Sequence, residues 1–410
     1  MLLFIIYYLI SPFIFFLLLI ISLFNKKIQT VLKTQKKSVQ KIKSKLKTNK
    51  KKIIIHAASA GEYEQIKPLL KVIDKNIYFT IVTCMSPTIY QTIKKDNLSD
   101  TCCYHPFDFP WNPRFFFNTI NPSIYLTTRH DIWPIHLYFA KKMKIKTIII
   151  NANLYKSSIR LKWYAINFTK YIFNLFNLII VPSEKIKNIF NSKLYIKNTH
   201  VISDTRFNQI ISRKKSSEKI IKLESIKEKN NIIFGSISWE DLKVLSIEIL
   251  DVCDYLIIVP HEIDIKLINQ IEQKFSNHSS IKFSEINNNI NAKIIIIDKI
   301  GILPELYKYT KIAYVGGGFG KGVHSTIEPL VYNNIVCYGP NIDLLDEAKQ
   351  MHEKQFGFII ENNKDLIENI IKPHFFDETK IKENRKNIEQ YLIEKETSTK
   401  KLAKLINEYI

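Results

Sequence analysis

Two loops of this 410-residue chain carry residue types that can do chemistry at useful spacing. The first is His56-Ala57-Ala58-Ser59-Ala60-Gly61-Glu62, between an apolar run and an amphipathic helical pattern. Small residues such as Ser59 and Gly61 at such a turn let a substrate come close to the backbone. Glu62 falls in a helix's first turn, where its ionised form is favoured. An ionised carboxylate there can take a proton from an attacking hydroxyl. A glutamate that only complements the helix dipole fits the same pattern. The second loop, Val315 to Pro329, holds five of the chain's ten glycines. Gly316, Gly317 and Gly318 ahead of a helix form a turn able to cradle phosphate, with Lys321 and His324 as charge partners. Glu328 follows His324 by four residues, which on one continuous helix places both on one side. That arrangement suits a carboxylate hydrogen-bonded to ribose hydroxyls. A tight structural turn is the other reading of these glycines.

Weaker polar segments follow the other apolar runs. They are Thr83 to Thr88 (with Ser86), Tyr104 to Pro110, Arg129-His130-Asp131-Ile132-Trp133-Pro134 and Asn151-Ala152-Asn153-Leu154. Further along come Gly235-Ser236-Ile237-Ser238, Val259-Pro260-His261-Glu262 and Tyr338 to Asn341. Gly235 and Ser236 precede a helical pattern and offer backbone N–H groups to an anion.

The elements that must position these residues are short β-branched runs alternating with helix-length stretches. One series is Ile53–Ile55, Ile77–Val82, Ile124–Thr127, Thr147–Ile150 and Leu178–Val181. The second is Asn231–Phe234, Tyr255–Val259, Lys293–Ile297, Ile312–Val315 and Ile335–Tyr338. Fully apolar runs of this kind signal parallel strands covered on both faces. The chain therefore divides into an N-terminal domain over 53–210, a polar linker over 211–229, a second domain over 230–378 and a C-terminal helix over 379–410. Two doubly wound α/β domains are expected to face a cleft beyond the carboxyl ends of their strands.

Residues 1–24 carry no charge and are long enough to cross a bilayer. The apolar run has neither a charged leader nor a small-residue cleavage site, which argues against a removed signal peptide. Residues 25–52 are dense in Lys, and the first acidic residue of the chain is Glu62. The positive-inside rule then places the rest of the chain in the cytoplasm. The formal net charge of +22 points to an anionic partner. The Lys-rich stretch adjoins an apolar helix and lacks interleaved aromatics for base stacking, so an anionic membrane surface is expected and nucleic acid is not. Five cysteines, Cys84, Cys102, Cys103, Cys253 and Cys337, show no metal-site spacing and read as reduced thiols.

Taken together, these segments resemble the Kdo (3-deoxy-D-manno-octulosonic acid) transferases of lipopolysaccharide assembly, from about residue 53 to 350. The carriers are His56 to Glu62, Asp131 to Pro134, Asn151 to Leu154, Asp204-Thr205-Arg206-Phe207 and Gly316 to Pro329. The resemblance implies a GT-B architecture and inverting transfer of Kdo from CMP-Kdo to a lipid A precursor of the lipid IVA type. It implies no metal or other cofactor, CMP-Kdo being a co-substrate. Glu62 then takes the general-base position, with Asp131 beside it. Gly235, Ser236, His261, Gly316, Gly317, Gly318, Lys321, His324, Ser325 and Glu328 fall on the donor side. Ser59, Gly61, Ser86, Asn153 and Arg206 fall on the acceptor side. Departures from the family pattern are Asp131 for Glu, Arg129 for a second acid, His261 for Arg, Ser325 for Asn and Ser203 for Gly. Such an enzyme works at the inner membrane. A GT-B enzyme using a UDP-sugar and a non-catalytic relative are the competing readings.

Overall fold

In the computed structural model, which describes residues 2–287, 290–343 and 345–409, the chain divides into two α/β units. One is Met1–Gln209 with Thr397–Ile410, the other Ile210–Glu396. The first contains strands β1 (Lys51–His56), β2 (Tyr78–Cys84), β3 (Thr101–Tyr104), β4 (Ile124–Thr128), β5 (Lys146–Ile150), β6 (Leu178–Val181) and β7 (Thr199–Val201). They lie in the order β3-β2-β1-β4-β5-β6-β7 and pair in parallel. The second contains β8 (Asn231–Ile237), β9 (Tyr255–Pro260), β10 (Ser280–Lys282), β11 (Ile294–Ile296), β12 (Ile312–Val315), β13 (Ile335–Tyr338) and β14 (Gly357–Ile359). Their order is β10-β11-β9-β8-β12-β13-β14, again parallel. Strand direction of build-up reverses between β1 and β4 in one sheet and between β8 and β12 in the other. Ligands of such sheets bind beyond the carboxyl ends at these reversals.

The central strands are apolar throughout because helices cover both faces. Ile53, Ile54 and Ile55 of β1 are all fully buried, and Ile54 packs in one core cluster while Ile53 and Ile55 pack in the other. Proline near the start of helices Pro87–Asp96, Asn112–Ile120 and Pro134–Lys142 fixes where they begin. Left-handed Asn97 and Asn121 end the first two.

Helix α1 (Leu2–Phe24) is long and apolar enough to anchor in a membrane. One face packs on the first unit through buried Phe4, and Phe15 sets its ring against Phe109 at 5.1 Å and Trp111 at 5.3 Å. Most of its other side chains, among them Leu2, Phe13 and Phe24, are exposed. Helix α2 (Lys26–Lys41) is part of the same unit's fold. Val31 and Val39 are buried, Ser38 Oγ accepts from Tyr104 N at 3.0 Å, and Gln35 Oε1 accepts from Phe107 N at 3.0 Å. Its lysines Lys26, Lys27, Lys33, Lys36, Lys37 and Lys41 are exposed.

Two expected boundaries differ from the structure. The stretch 211–229 is not a free linker: helix Arg206–Lys215 runs across its start, and Leu223 and Ile226 are buried in the second unit's core. The C-terminal stretch is two helices, Glu378–Glu396 and Ser398–Glu408, broken at Thr397. Leu402 and Ile406 of the second pack in the first unit's core.

Candidate active site

In the first unit, β1 ends at His56 and passes into helix α3 (Ala60–Val72). Ser59 caps this helix: its Oγ accepts from Glu62 N at 3.3 Å, and Glu62 Oε2 accepts from Ser59 N at 2.9 Å. The box holds Glu62 at a fixed point of the turn, with Gly61 beside it. Glu62 is half-buried. Burial first, and then the charge of Asp131, push its carboxyl above the ordinary value, against the lowering effect of the Ser59 hydrogen bonds. Glu62 is thus a capping residue at the helix start whose carboxyl is also held above its ordinary value.

Asp131, in the loop after β4, lies with Oδ2 2.7 Å from His56 Nε2. The ring's other nitrogen, Nδ1, meets Thr83 Oγ1 at 2.9 Å. The loop starts with Arg129 in the left-handed region at φ 52°, a strained conformation of the sort that gathers at functional sites. Trp133 Nε1 is buried with no partner among the described residues.

Behind this cluster stands a column of buried histidines that the spacing of the sequence did not reveal. His56 packs against His105 with ring centres 4.2 Å apart and planes tilted by 41°, and His105 against His136 at 4.5 Å and 46°. His105 Nε2 meets Tyr125 OH at 2.8 Å. His136 Nδ1 meets Asp108 Oδ1 at 2.7 Å. Asp108 also accepts from Ile135 N, His136 N and the hydroxyl of Tyr7 on α1, at 3.0, 2.9 and 2.9 Å. Replacing Asp108 by Ala strands these donors, so we expect a loss of about 3 kcal/mol or more of stability, read as a fall in Tm. Burial pushes His105 well below its usual value and lowers His136 as well. Below about pH 6.5 the unfolded chain binds more protons on these rings than the folded one does. Stability contributed here is whole above that pH and is lost as pH falls below it, which denaturation at stepped pH will read.

The remaining first-unit residues are spread over neighbouring loops. Ser86 caps the start of Pro87–Asp96 without a side-chain hydrogen bond. Asn153 is buried and donates from Nδ2 to Tyr155 OH at 2.8 Å. Arg206 is held by Asp204, Nε to Oδ2 at 2.9 Å. Thr205 Oγ1 donates to Gln65 O at 2.6 Å and accepts from Asn151 Nδ2 at 2.9 Å. The Asp204-Thr205-Arg206 segment thus ties the loop after β5 to α3, the helix that carries Glu62.

In the second unit, β8 carries a bulge between Gly235 and Ile237, with Ser236 at φ 60°. Ser236 Oγ lies 2.7 Å from His261 Nδ1, and the His261 and His324 rings stack at 4.1 Å. Gly316 lies so close to the bulge that a Cβ would collide with Ser236 O, and Gly317 takes φ 88°. Side chains are excluded at both positions. Gly317 N donates to Asp241 Oδ2 at 2.9 Å, Ser238 N donates to the same oxygen at 2.8 Å, and Tyr314 OH donates to Oδ1 at 2.5 Å. Asp241, fully buried, organises the glycine loop. The sequence signal for it was the Ser238-x-x-Asp241 capping spacing.

The expected helix-face pairing of His324 and Glu328 is corrected: residues 322–325 are irregular and the helix begins at Ile327. His324 instead faces His261, while Glu328, in the helix's first turn, acts on Tyr307, whose hydroxyl nears Gly235. Burial first, then His261, lower His324, so its ring is favoured neutral, a hydrogen-bonding group in place of the expected charge partner. Ser325 is half-buried beside it, Gly318 packs on Gly339, and Lys321 is exposed near Glu240. Among the described residues no group of His, Cys, Asp and Glu is arranged to hold a metal ion. All five cysteines are free and buried.

Residues 32–209 match the family model described as 3-deoxy-D-manno-octulosonic-acid transferase. A 3-deoxy-D-manno-octulosonic acid transferase of Aquifex aeolicus is 28% identical over 336 residues, 79% of this chain and 86% of that protein. One of Rickettsia prowazekii is 26% identical over 328 residues, 76% of this chain and 70% of that one. The chain is similar to the Kdo transferases over about four fifths of its length. That similarity supports a glycosyltransferase. Among solved structures, a glycosyltransferase from Rickettsia africae covers 88% of this chain and 99% of its own at TM-score 0.59 and 15% identity. A putative UDP-N-acetylglucosamine 2-epimerase from Listeria monocytogenes covers 88% and 96% at TM-score 0.63 and 12% identity. At such identities the likeness is one of fold, and this chain shares their two-unit GT-B plan.

Proposed function

We propose that this chain is a Kdo transferase that moves Kdo, with inversion, from CMP-Kdo to a lipid A precursor of the lipid IVA type. The observation that carries the reading is Glu62: a carboxyl fixed by the Ser59 box and pushed up by burial and Asp131, on the unit that matches the family model. The acceptor hydroxyl gives its proton to Glu62 as its oxygen bonds to the anomeric carbon of Kdo. The bond from that carbon to the phosphate oxygen breaks, and CMP leaves with the electron pair. Asp131 and His56 position the base and set its proton affinity. Ser59, Gly61, Ser86, Asn153 and Arg206 are assigned to the acceptor side.

On the donor side, the backbone of the glycine loop, Ser236, His261, His324 and Ser325 meet phosphate by hydrogen bonds, with Lys321 adding charge at the loop's exposed tip. Glu328 takes the ribose hydroxyls. The chemistry proposed here calls on no metal. Helix α1 and the exposed lysines of α2 hold the enzyme to the inner membrane, with the catalytic units on the cytoplasmic side.

Nucleotide binding to the full-length protein, by calorimetry with CMP and UDP in parallel, tests the donor. CMP is expected to bind at least about tenfold more tightly. A tighter UDP overturns the CMP-sugar assignment, and binding of neither favours a non-catalytic relative.

A further inference from the structure

A groove of about 820 Å³ lies wholly within the first unit, between α1 and the helices Asn112–Ile120, Pro134–Lys142 and Ile166–Phe173. Phe4 and Leu9 of α1 form one wall, and Trp111 and Tyr171 stand opposite. Two cations, Arg114 and Lys142, complete the lining. Both are exposed, and no ion pair to either is formed among the described residues. None of its lining residues is among those assigned above to the transfer reaction.

Its occupant follows from its walls. Leu2, Phe13 and Phe24 of α1 are 71%, 73% and 88% exposed, so this helix is stable only where acyl chains cover it. A groove that has α1 as a wall therefore opens to acyl chains. An apolar trough whose unpaired charges are both positive is complementary to a molecule with an apolar chain and an anionic head. The volume is in the range of a single small ligand, roughly 300–1,000 Å³. That leaves room for a lipid with few chains, not for the whole apolar part of a tetra-acylated precursor.

We propose that this groove is a binding site for an anionic phospholipid of the surrounding membrane, an acyl chain lying against Phe4 and Tyr171 and the phosphate held by Arg114 and Lys142. The lipid seals α1 onto the first unit. This contact reaches the same helix whose Tyr7 donates to Asp108 under the histidine column.

The test is native mass spectrometry of the full-length protein from nanodiscs of equimolar phosphatidylglycerol and phosphatidylcholine. Wild type is expected to retain phosphatidylglycerol over phosphatidylcholine by roughly tenfold. The paired change Arg114→Glu and Lys142→Glu should abolish that preference. Lys380→Glu with Lys386→Glu, exposed on the helix Glu378–Glu396 of the second unit, change the net charge equally and should leave it intact, which separates a site from an effect of overall charge. Ile5→Trp, which fills the groove from α1, should reduce total lipid retained, with circular dichroism confirming an intact fold. Retention of no lipid, equal retention of both lipids, or a preference that survives the Arg114 and Lys142 changes overturns the site. Displacement of phosphatidylglycerol by stoichiometric lipid A precursor also overturns it, by giving the groove to the acceptor.

Discussion

Replacing Glu62 by Gln is expected to lower kcat by about 10²–10⁴-fold, the usual worth of a positioned base. CMP affinity should stay unchanged, because the nucleotide is assigned to residues of the other unit. The substitution keeps one Ser59 N–H acceptor in place, so the cap on α3 survives and the loss is one of proton transfer. A pH profile sharpens the test. Glu62 must be ionised to act, and its carboxyl sits above the ordinary value because of burial and then Asp131. Activity should therefore fall as pH drops through that raised value. Asp131→Asn removes one of the two raising causes, so the acid limb should move to lower pH. A merely structural Asp131 would lower activity at every pH and leave the limb where it was.

The second large effect is expected at Asp241. Its carboxylate receives Gly317 N, Ser238 N and the Tyr314 hydroxyl in a fully buried setting. Asp241→Ala leaves the buried donors Gly317 N and Tyr314 OH and the half-buried Ser238 N without this acceptor, at about 1–3 kcal/mol for each buried donor before relaxation. The glycine loop loses the anchor that holds Gly317 in its left-handed turn. We expect the mutant to lose CMP binding by at least about 100-fold and to fall in Tm, and Asp241→Asn, which cannot accept from all three donors, to lie between. An Asp241→Ala protein that binds CMP normally would remove the loop from the donor site.

How far this was legible from sequence depends on locality. The runs that stood out as strands all correspond to interior strands of the two sheets. The four that did not, β3, β7, β10 and β14, are the four sheet edges. An edge strand has one neighbour and is short, so Thr199–Val201 and Ser280–Lys282 carry no continuous apolar run. Helix α2 looked like a charged tether because lysines dominate it. The face that packs is Val31, Gln35, Ser38 and Val39, partly polar and invisible to an apolar count. Glu62 was legible because a strand, a capping serine and a helix sit within a few residues of it. The His56, His105 and His136 column was not, since its members lie on separate loops and helices and meet only through the fold. His324 and Glu328 were placed on one helix by their spacing, and the irregular run before Ile327 undid that inference.

The central claim is most directly tested by the mass of the lipid product. Full-length protein is given CMP-Kdo and a tetra-acylated lipid A precursor, with the Glu62→Gln protein in parallel, and the lipid is read by mass spectrometry. The account predicts that wild type adds the mass of Kdo with release of CMP and that the variant does so at least about 100-fold more slowly. A lipid left unchanged by CMP-Kdo but glycosylated from a UDP-sugar would contradict it.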